Sequence, residues 1–187
     1  MVGVYAWQVE TRWLRITRLT VRVPGLPPAF EGYRIVHLSD LHLGVRLNHT
    51  RLPVIAAAVQ RERPDLIALT GDFVTGGRNG LAEGEALLGA LRAPDGAWAV
   101  LGNHDHSVGP DRVAALLRGA GIGLLRNASH TLRRGGDALV LAGIDDVVRG
   151  APDLRAALDG APPDQPAILL AHAPDFILEQ IAQRFHQ

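Results

Sequence analysis

The chain has 187 residues and no cysteine, which excludes disulfides, thiolate metal sites and a cysteine nucleophile. Its 19 basic residues, all arginine, balance 19 acidic ones, so no whole-molecule field draws it to nucleic acid or anionic lipid. A chain of this length holds one domain with a sizeable core, so a single domain over residues 1–187 is expected; no stretch reaches the roughly 20 apolar residues of a membrane span.

The N-terminal segment mixes Tyr5, Trp7 and Trp13 with Arg12, Arg15 and Arg18. Its period-2 stretches predict an edge strand from Trp13 to Val23. The same mixture also fits residues 1–23 as the remnant of a membrane-proximal belt. With no charged-then-apolar leader, a cytoplasmic or membrane-associated location is expected. Beyond this segment, YRIVHLSD (33–40), DLIALTGD (65–72), AWAVLGNHD (97–105), ALVLAGIDD (138–146) and AILLAHAPD (167–175) share one grammar. Each is an apolar run of strand length that ends in polar residues. Helical spacing of apolar residues falls between them, at 51–62, more weakly at 84–93, and at 110–121, which opens on Pro-Asp and closes on Gly. Between 122 and 143, GIGLLRN, SHTLRR and ALVLAGI read as consecutive strands with a turn at Gly135-Gly136-Asp137. The alternation predicts an α/β layered fold of mixed β-sheets flanked by helices. DGAPPDQP (159–166) reads as a loop.

In open α/β sheets ligands bind at the carboxyl ends of the strands. Each of the five runs delivers its polar residues there: Asp40 and His42, Asp72, Asn103 with His104 and Asp105, Asp145 with Asp146, and His172. Carboxylates, one amide and imidazoles make an N/O donor set suited to Mn, Fe or Zn.

The stretches SDLHLG (39–44), LTGDFV (69–74), LGNHD (101–105) and LLAHAPD (169–175) resemble, in order, the D-x-H, G-D, G-N-H-D/E and isolated-His motifs of the calcineurin-like metallophosphoesterases. The phrasing HLSDLHLG is most similar to the bacterial envelope-associated phosphodiesterase branch, whose members often carry an N-terminal anchor. The resemblance implies a layered metallophosphoesterase fold and phosphodiester hydrolysis with two divalent ions, Mn first and Fe or Zn as alternatives. It implies Asp40 and His42 on the first ion, Asp72 bridging, and Asn103 and His172 on the second. His104 is implied as acid or charge stabiliser, and Asp105 as its orienter through an imidazole–carboxylate hydrogen bond. The hydroxide would arise from water acidified between two ions roughly 3.5–4 Å apart. The implied substrate is a phosphoester, lipid-linked or nucleotide-linked, with membrane periphery for a longer protein. Neutral charge and few aromatics disfavour nucleic acid.

One departure stands out. The family closes its site with G-H-x-H, and this sequence reaches RFHQ (184–187) without it. A C-terminally incomplete fold is therefore expected, with the second-ion site weakened most; the alternative reading is a metal-depleted, non-catalytic binding or scaffold protein.

Other polar residues carry structural expectations. Asp145-Asp146 reads as structural, His37 as a hydrogen-bonded strand histidine, His106 as pocket-lining or structural, and Asp175 as a helix cap. Asn48 or Thr50 beside His49 caps the first helix, and His186 belongs to the tail. Arg46 and Arg78 read as loop arginines, the commoner state of such residues, though either has the geometry to meet a phosphate bidentately.

Overall fold

Each of the five apolar runs becomes a strand that stops where its polar residues begin. The computed structural model describes residues 14–44, 52–75, 84–86, 88–162 and 165–174. In chain order the elements are β1 (Ile35–Leu38), α1 (Leu52–Glu62), β2 (Leu66–Thr70), β3 (Ala97–Val100), α2 (Asn103–Val108), α3 (Pro110–Gly119), β4 (Gly123–Leu124), β5 (Ala128–Arg134), β6 (Asp137–Gly143), α4 (Leu154–Ala157) and β7 (Ala167–Leu170). Within the run 84–93, residues 84–86 and Leu88 are helical.

The strands form two sheets. The first is wholly parallel in the order β1-β2-β3-β4. The second is mixed, with β5 antiparallel and β7 parallel to β6. Period-2 alternation along β2 explains why the sheets stack. Ile67 and Leu69 pack towards the helices with Val59, Val113 and Leu117, whereas Leu66 and Ala68 pack towards the second sheet with Leu139 and Leu141. The outer face of the second sheet meets Ala157 of α4 through Val140, Ala142 and Ile144. The result is an α/β/β/α sandwich in which each fully buried Leu or Ile contributes about 2 kcal/mol of apolar burial.

The structure differs from the sequence reading in three places. The run 122–143 divides between sheets: Gly123–Leu124 pairs with β3, and only β5 and β6 form a hairpin, turned by Gly135 (φ 56°) and Gly136 (φ 91°). β1 is half exposed, because it edges an open apolar groove lined by Ile35, Ala68 and Ile168. The edge strand expected from Trp13 to Val23 is not formed over the described residues 14–23, which belong to neither sheet. Among the described residues no strand pairs with this segment, and Leu19 and Val21 remain 84% and 75% exposed. Arg18 Nη2 ties the segment to Glu62 of α1 at 2.6 Å. Among the described residues no helix is long and apolar enough to cross a membrane.

Candidate metal centre

Parallel pairing of β1 and β2 continues past the ends of both strands. Asp40 N donates to Gly71 O at 3.1 Å, His42 N to Asp72 O at 2.9 Å, Leu43 N to Phe73 O at 2.6 Å and Thr75 N to Leu43 O at 3.1 Å. This ladder sets Asp40 and His42 beside Asp72. All three have left-handed backbones, with φ of 57°, 44° and 56°. Such residues cost about 1–3 kcal/mol each and persist only where their surroundings over-determine them.

The over-determining group is Asp105, which is fully buried. Its Oδ1 accepts from Phe73 N (2.8 Å) and Val74 N (3.2 Å), and its Oδ2 from Asp72 N (2.8 Å) and Gly102 N (2.9 Å). Three successive amides after the left-handed Gly71 and Asp72 form an anion-binding nest, which the carboxylate fills. Burial pushes this carboxyl up to about 6, against the pull of those amides and with a contribution from the Asp72 charge. The hydrogen bond expected between Asp105 and the His104 imidazole is thus replaced. Asp105 binds the backbone beneath the site, and the His104 ring lies instead with Nε2 3.9 Å from Asp72 Oδ2 and its plane perpendicular to His42, centroids 5.2 Å apart.

Two glycines permit the close approach of the loops after β2 and β3. A Cβ on Gly102 would lie 2.3 Å from Asp72 Oδ1 and 2.7 Å from Asp72 N; one on Gly71, already at φ 87°, would lie 2.5 Å from Gly102 N. Gly102→Ala is therefore expected to cost about 2 kcal/mol of stability, as overpacking does, and to displace the Asp72 carboxylate. Titration of Mn²⁺ by calorimetry should show at least tenfold weaker binding, about 1.4 kcal/mol.

Asp40, His42 and Asp72 offer ligand atoms that all lie within 4.8 Å of one another. His42 Nδ1 is hydrogen-bonded to Thr75 Oγ1, and its Nε2 lies 3.4 Å from Asp40 Oδ1. His172 Nδ1 donates to the Thr70 carbonyl at 2.7 Å. Because a carbonyl only accepts, Nδ1 carries a proton there, and the other ring nitrogen, Nε2, faces Asp72 Oδ2 3.6 Å away. A histidine ring oriented through one nitrogen, with the other turned towards a carboxylate, is the usual arrangement of a metal ligand. The donor set fits divalent ions. Asn103 opens α2 directly after Gly102, and its carbonyl accepts from Ser107 Oγ at 2.8 Å. The structure thus gathers Asp40, His42, Asp72, His104 and His172 round one carboxylate, with Asn103 adjoining in sequence.

Sequence reading missed the parts that hold these groups: Thr70 and Thr75 behind the imidazoles, the glycine contact, and Asp105 as the backbone anchor. The Gly preceding Asp72 and the Gly preceding Asn103 were the available signal for the contact; the threonines carried none. His106 and Asp145 form a structural pair at 2.7 Å, with side chains 8% and 1% exposed. Burial raises the Asp145 carboxyl, but N–H donors from Ala151, Arg126, His106 and Asp146 outweigh it and hold it below the usual carboxylate range. A carboxylate held low in the folded state contributes stability that is complete above its unfolded pKa, about 3.9, and is lost as pH falls through the folded value. Asp145→Asn is accordingly expected to flatten the acid limb of a profile of Tm against pH. His37 bonds Thr70 Oγ1 at 2.7 Å, exposed to the groove rather than buried. Tyr5, Trp7, Arg12, Trp13, Arg46, Asn48, His49, Thr50, Arg78, Asp175 and His186 lie outside the described residues.

Residues 33–179 match the family model of the calcineurin-like phosphoesterases. The chain belongs to that family. The chain is 35% identical over 146 residues to an uncharacterized metallophosphoesterase of Aquifex aeolicus, a match that covers 78% of the chain and 54% of the relative. It is 27% identical over 226 residues to the UDP-2,3-diacylglucosamine pyrophosphatase LpxG of Chlamydia trachomatis, covering 95% and 68%. The fold resembles that of the NAD nucleotidase of Haemophilus influenzae with a TM-score of 0.52 at 16% identity, covering 79% of this chain and 35% of that one. The calcineurin-like chain spans about half the length of the curated relatives it matches.

Proposed function

We propose that the chain is a phosphodiesterase working with two divalent ions. The observation that supports this best is the meeting of Asp40, His42 and Asp72 within 4.8 Å, with His172 and His104 turned onto the same Asp72 carboxylate. Asp40 and His42 would hold one ion, Asn103 and His172 the other, and Asp72 would serve as the shared ligand. When bound, such ions, with Mn²⁺ the first choice and Fe or Zn alternatives, supply Lewis acidity and a nucleophilic water at neutral pH. The residues do the rest. His104 is half exposed where Asp72 is buried, so its ring is available to a substrate's phosphoryl oxygens. It stabilises the charge that develops on them or returns a proton to the leaving oxygen. Asp105 holds the backbone that carries Asp72, so its contribution is preorganisation rather than proton transfer.

The substrate is a phosphoester with a lipid-linked or nucleotide-linked group, as the name of the LpxG relative suggests. The exposed Leu14, Ile16, Leu19, Val21 and Val23 support contact with a membrane periphery. Elemental analysis of the purified chain, followed by hydrolysis of bis-p-nitrophenyl phosphate with and without Mn²⁺, tests the proposal. Stoichiometric metal and Mn²⁺-dependent cleavage are expected. A chain that binds no metal and cleaves neither the diester nor p-nitrophenyl phosphate is a non-catalytic binding protein, and one that prefers the monoester is not a diesterase.

A further inference from the structure

Arg126 stands at the carboxyl end of β4, on the edge that carries the candidate metal ligands. β2 pairs Leu69 with Ala99, β3 pairs Ala99 with Leu124, and Leu125 N still donates to Ala99 O. Extending both registers by two residues levels Arg126 with Leu101 and Gly71. Its backbone is then two strand spacings, roughly 10 Å, from the turn that bears Asp72. An arginine side chain covers much of that distance.

The side chain is held, not loose. Its Nε donates to Asp145 Oδ2 at 2.9 Å, and while the arginine side chain is 45% exposed, that of Asp145 is 1% exposed. Asp145 is itself pinned by His106 Nε2 at 2.7 Å, Asp146 N at 3.0 Å and Ala151 N at 3.1 Å. The next residue, Asn127, has a left-handed backbone, accepts from Asp145 N and Asp153 N, and donates to Ala151 O. The buried carboxylate therefore fixes one edge of the guanidinium, and the Nη groups hydrogen-bond to no described residue. A guanidinium fixed by Nε and open at Nη presents donors in the fork geometry that matches phosphate oxygens. His106 and His104 both lie on α2, so one short helix carries a partner of Asp145 and a residue of the candidate centre.

We propose that Arg126 forms a second phosphoryl subsite, so that the preferred substrate is a diphosphate-linked diester rather than one with a single phosphoryl group. This rests on the phosphoesterase reading above. In the reaction water adds its oxygen to the phosphorus at the metal centre. The bridging P–O bond breaks with its electron pair passing to the departing monoester, and two protons are released with the two monoester products. Arg126 holds the phosphoryl group that departs and meets the charge it gains.

The test measures binding and turnover separately. With the Mn²⁺-loaded protein, calorimetry compares adenosine 5′-monophosphate with its non-hydrolysable α,β-methylene diphosphate. The diphosphonate is expected to bind at least about tenfold more tightly, as a charged hydrogen-bonded pair allows. Arg126→Ala should erase that ratio, and Arg126→Lys should restore only part of it. In turnover, Arg126→Ala should lower kcat/KM for diadenosine diphosphate at least about tenfold more than it lowers kcat/KM for bis-p-nitrophenyl phosphate. A merely structural role would lower Tm in Arg126→Ala and leave the binding ratio as it was; that result, or equal affinity for the two ligands in the unmodified protein, overturns the proposal. Absence of all hydrolysis by the metal-loaded protein counts against the phosphodiesterase reading alone, because the binding ratio still judges Arg126.

Discussion

Asp72→Ala is expected to abolish stoichiometric Mn²⁺ binding and to lower hydrolysis of bis-p-nitrophenyl phosphate by at least about 10³-fold, the scale of removing preorganised charge from an active site. The fold should survive. The Asp72 carboxylate is 4% exposed, and its one hydrogen bond among the described residues is from His104 N to Oδ1, at 2.9 Å. A buried carboxylate with so little compensation is a burden on the metal-free protein. Asp72→Asn should therefore unfold at an equal or higher Tm than the unmodified chain in the absence of metal, a common pattern at functional positions. His104→Ala is the informative companion. Its ring approaches Asp72 no closer than 3.9 Å and is 45% exposed, so metal content should stay at the unmodified level while kcat falls by about 10²–10³-fold. Elemental analysis and steady-state kinetics on the two variants separate the roles. If His104→Ala loses metal as completely as Asp72→Ala does, His104 is a ligand rather than a substrate-facing group. Hydrolysis that persists in both removes the site from this edge of the sheet.

Asp105→Asn should lower the unfolding free energy by about 3 kcal/mol and take metal affinity with it. Hydrogen bonds to a charged acceptor contribute about 1.5–3 kcal/mol each, and the Asp105 carboxylate accepts four from buried backbone amides. An asparagine keeps one oxygen and turns an NH₂ group on amides that have nothing left to donate to. The nest then opens, and the left-handed backbone of Asp72, at φ 56°, loses the contact that holds it. Urea denaturation and Mn²⁺ calorimetry read the two effects together. The outcome that restores Asp105 as an orienter of His104 is specific: unchanged stability and metal affinity, with only the pH profile of kcat displaced.

Asp105 and His104 mark where sequence reading reaches its limit. Adjacent in LGNHD, they form an imidazole–carboxylate couple in what the family resemblance implies. On a helix, adjacent residues point about 100° apart, and the structure sends the carboxylate down into the β2 loop and the ring outward over Asp72. The same limit hid Asp145. The end of β6 placed it on the edge that gathers the strand-end polar residues, but only the tertiary fold brings His106 of α2 and Arg126, beyond β4, to its two oxygens.

What the sequence determined by itself was local and periodic. Short apolar runs ending in Asp, Asn and His dictate strands that stop at polar termini, and parallel pairing sets the ends of β1, β2 and β3 on one edge. Those strand ends supplied the candidates, and the resemblance to the calcineurin-like motifs singled out Asp40, His42, Asp72, Asn103, His104 and His172 among them. The tertiary structure alone decided the division into two sheets, the stacking that brings His172 to Asp72, the exclusion of residues 14–23 from both sheets, the left-handed backbones of Asp40, His42 and Asp72, and the partners of Asp105 and Asp145. Those depend on which loops touch across more than thirty residues of intervening chain, as Asp72 and Asp105 do, and no spacing along the sequence encodes a contact made by two glycines meeting backbone to backbone.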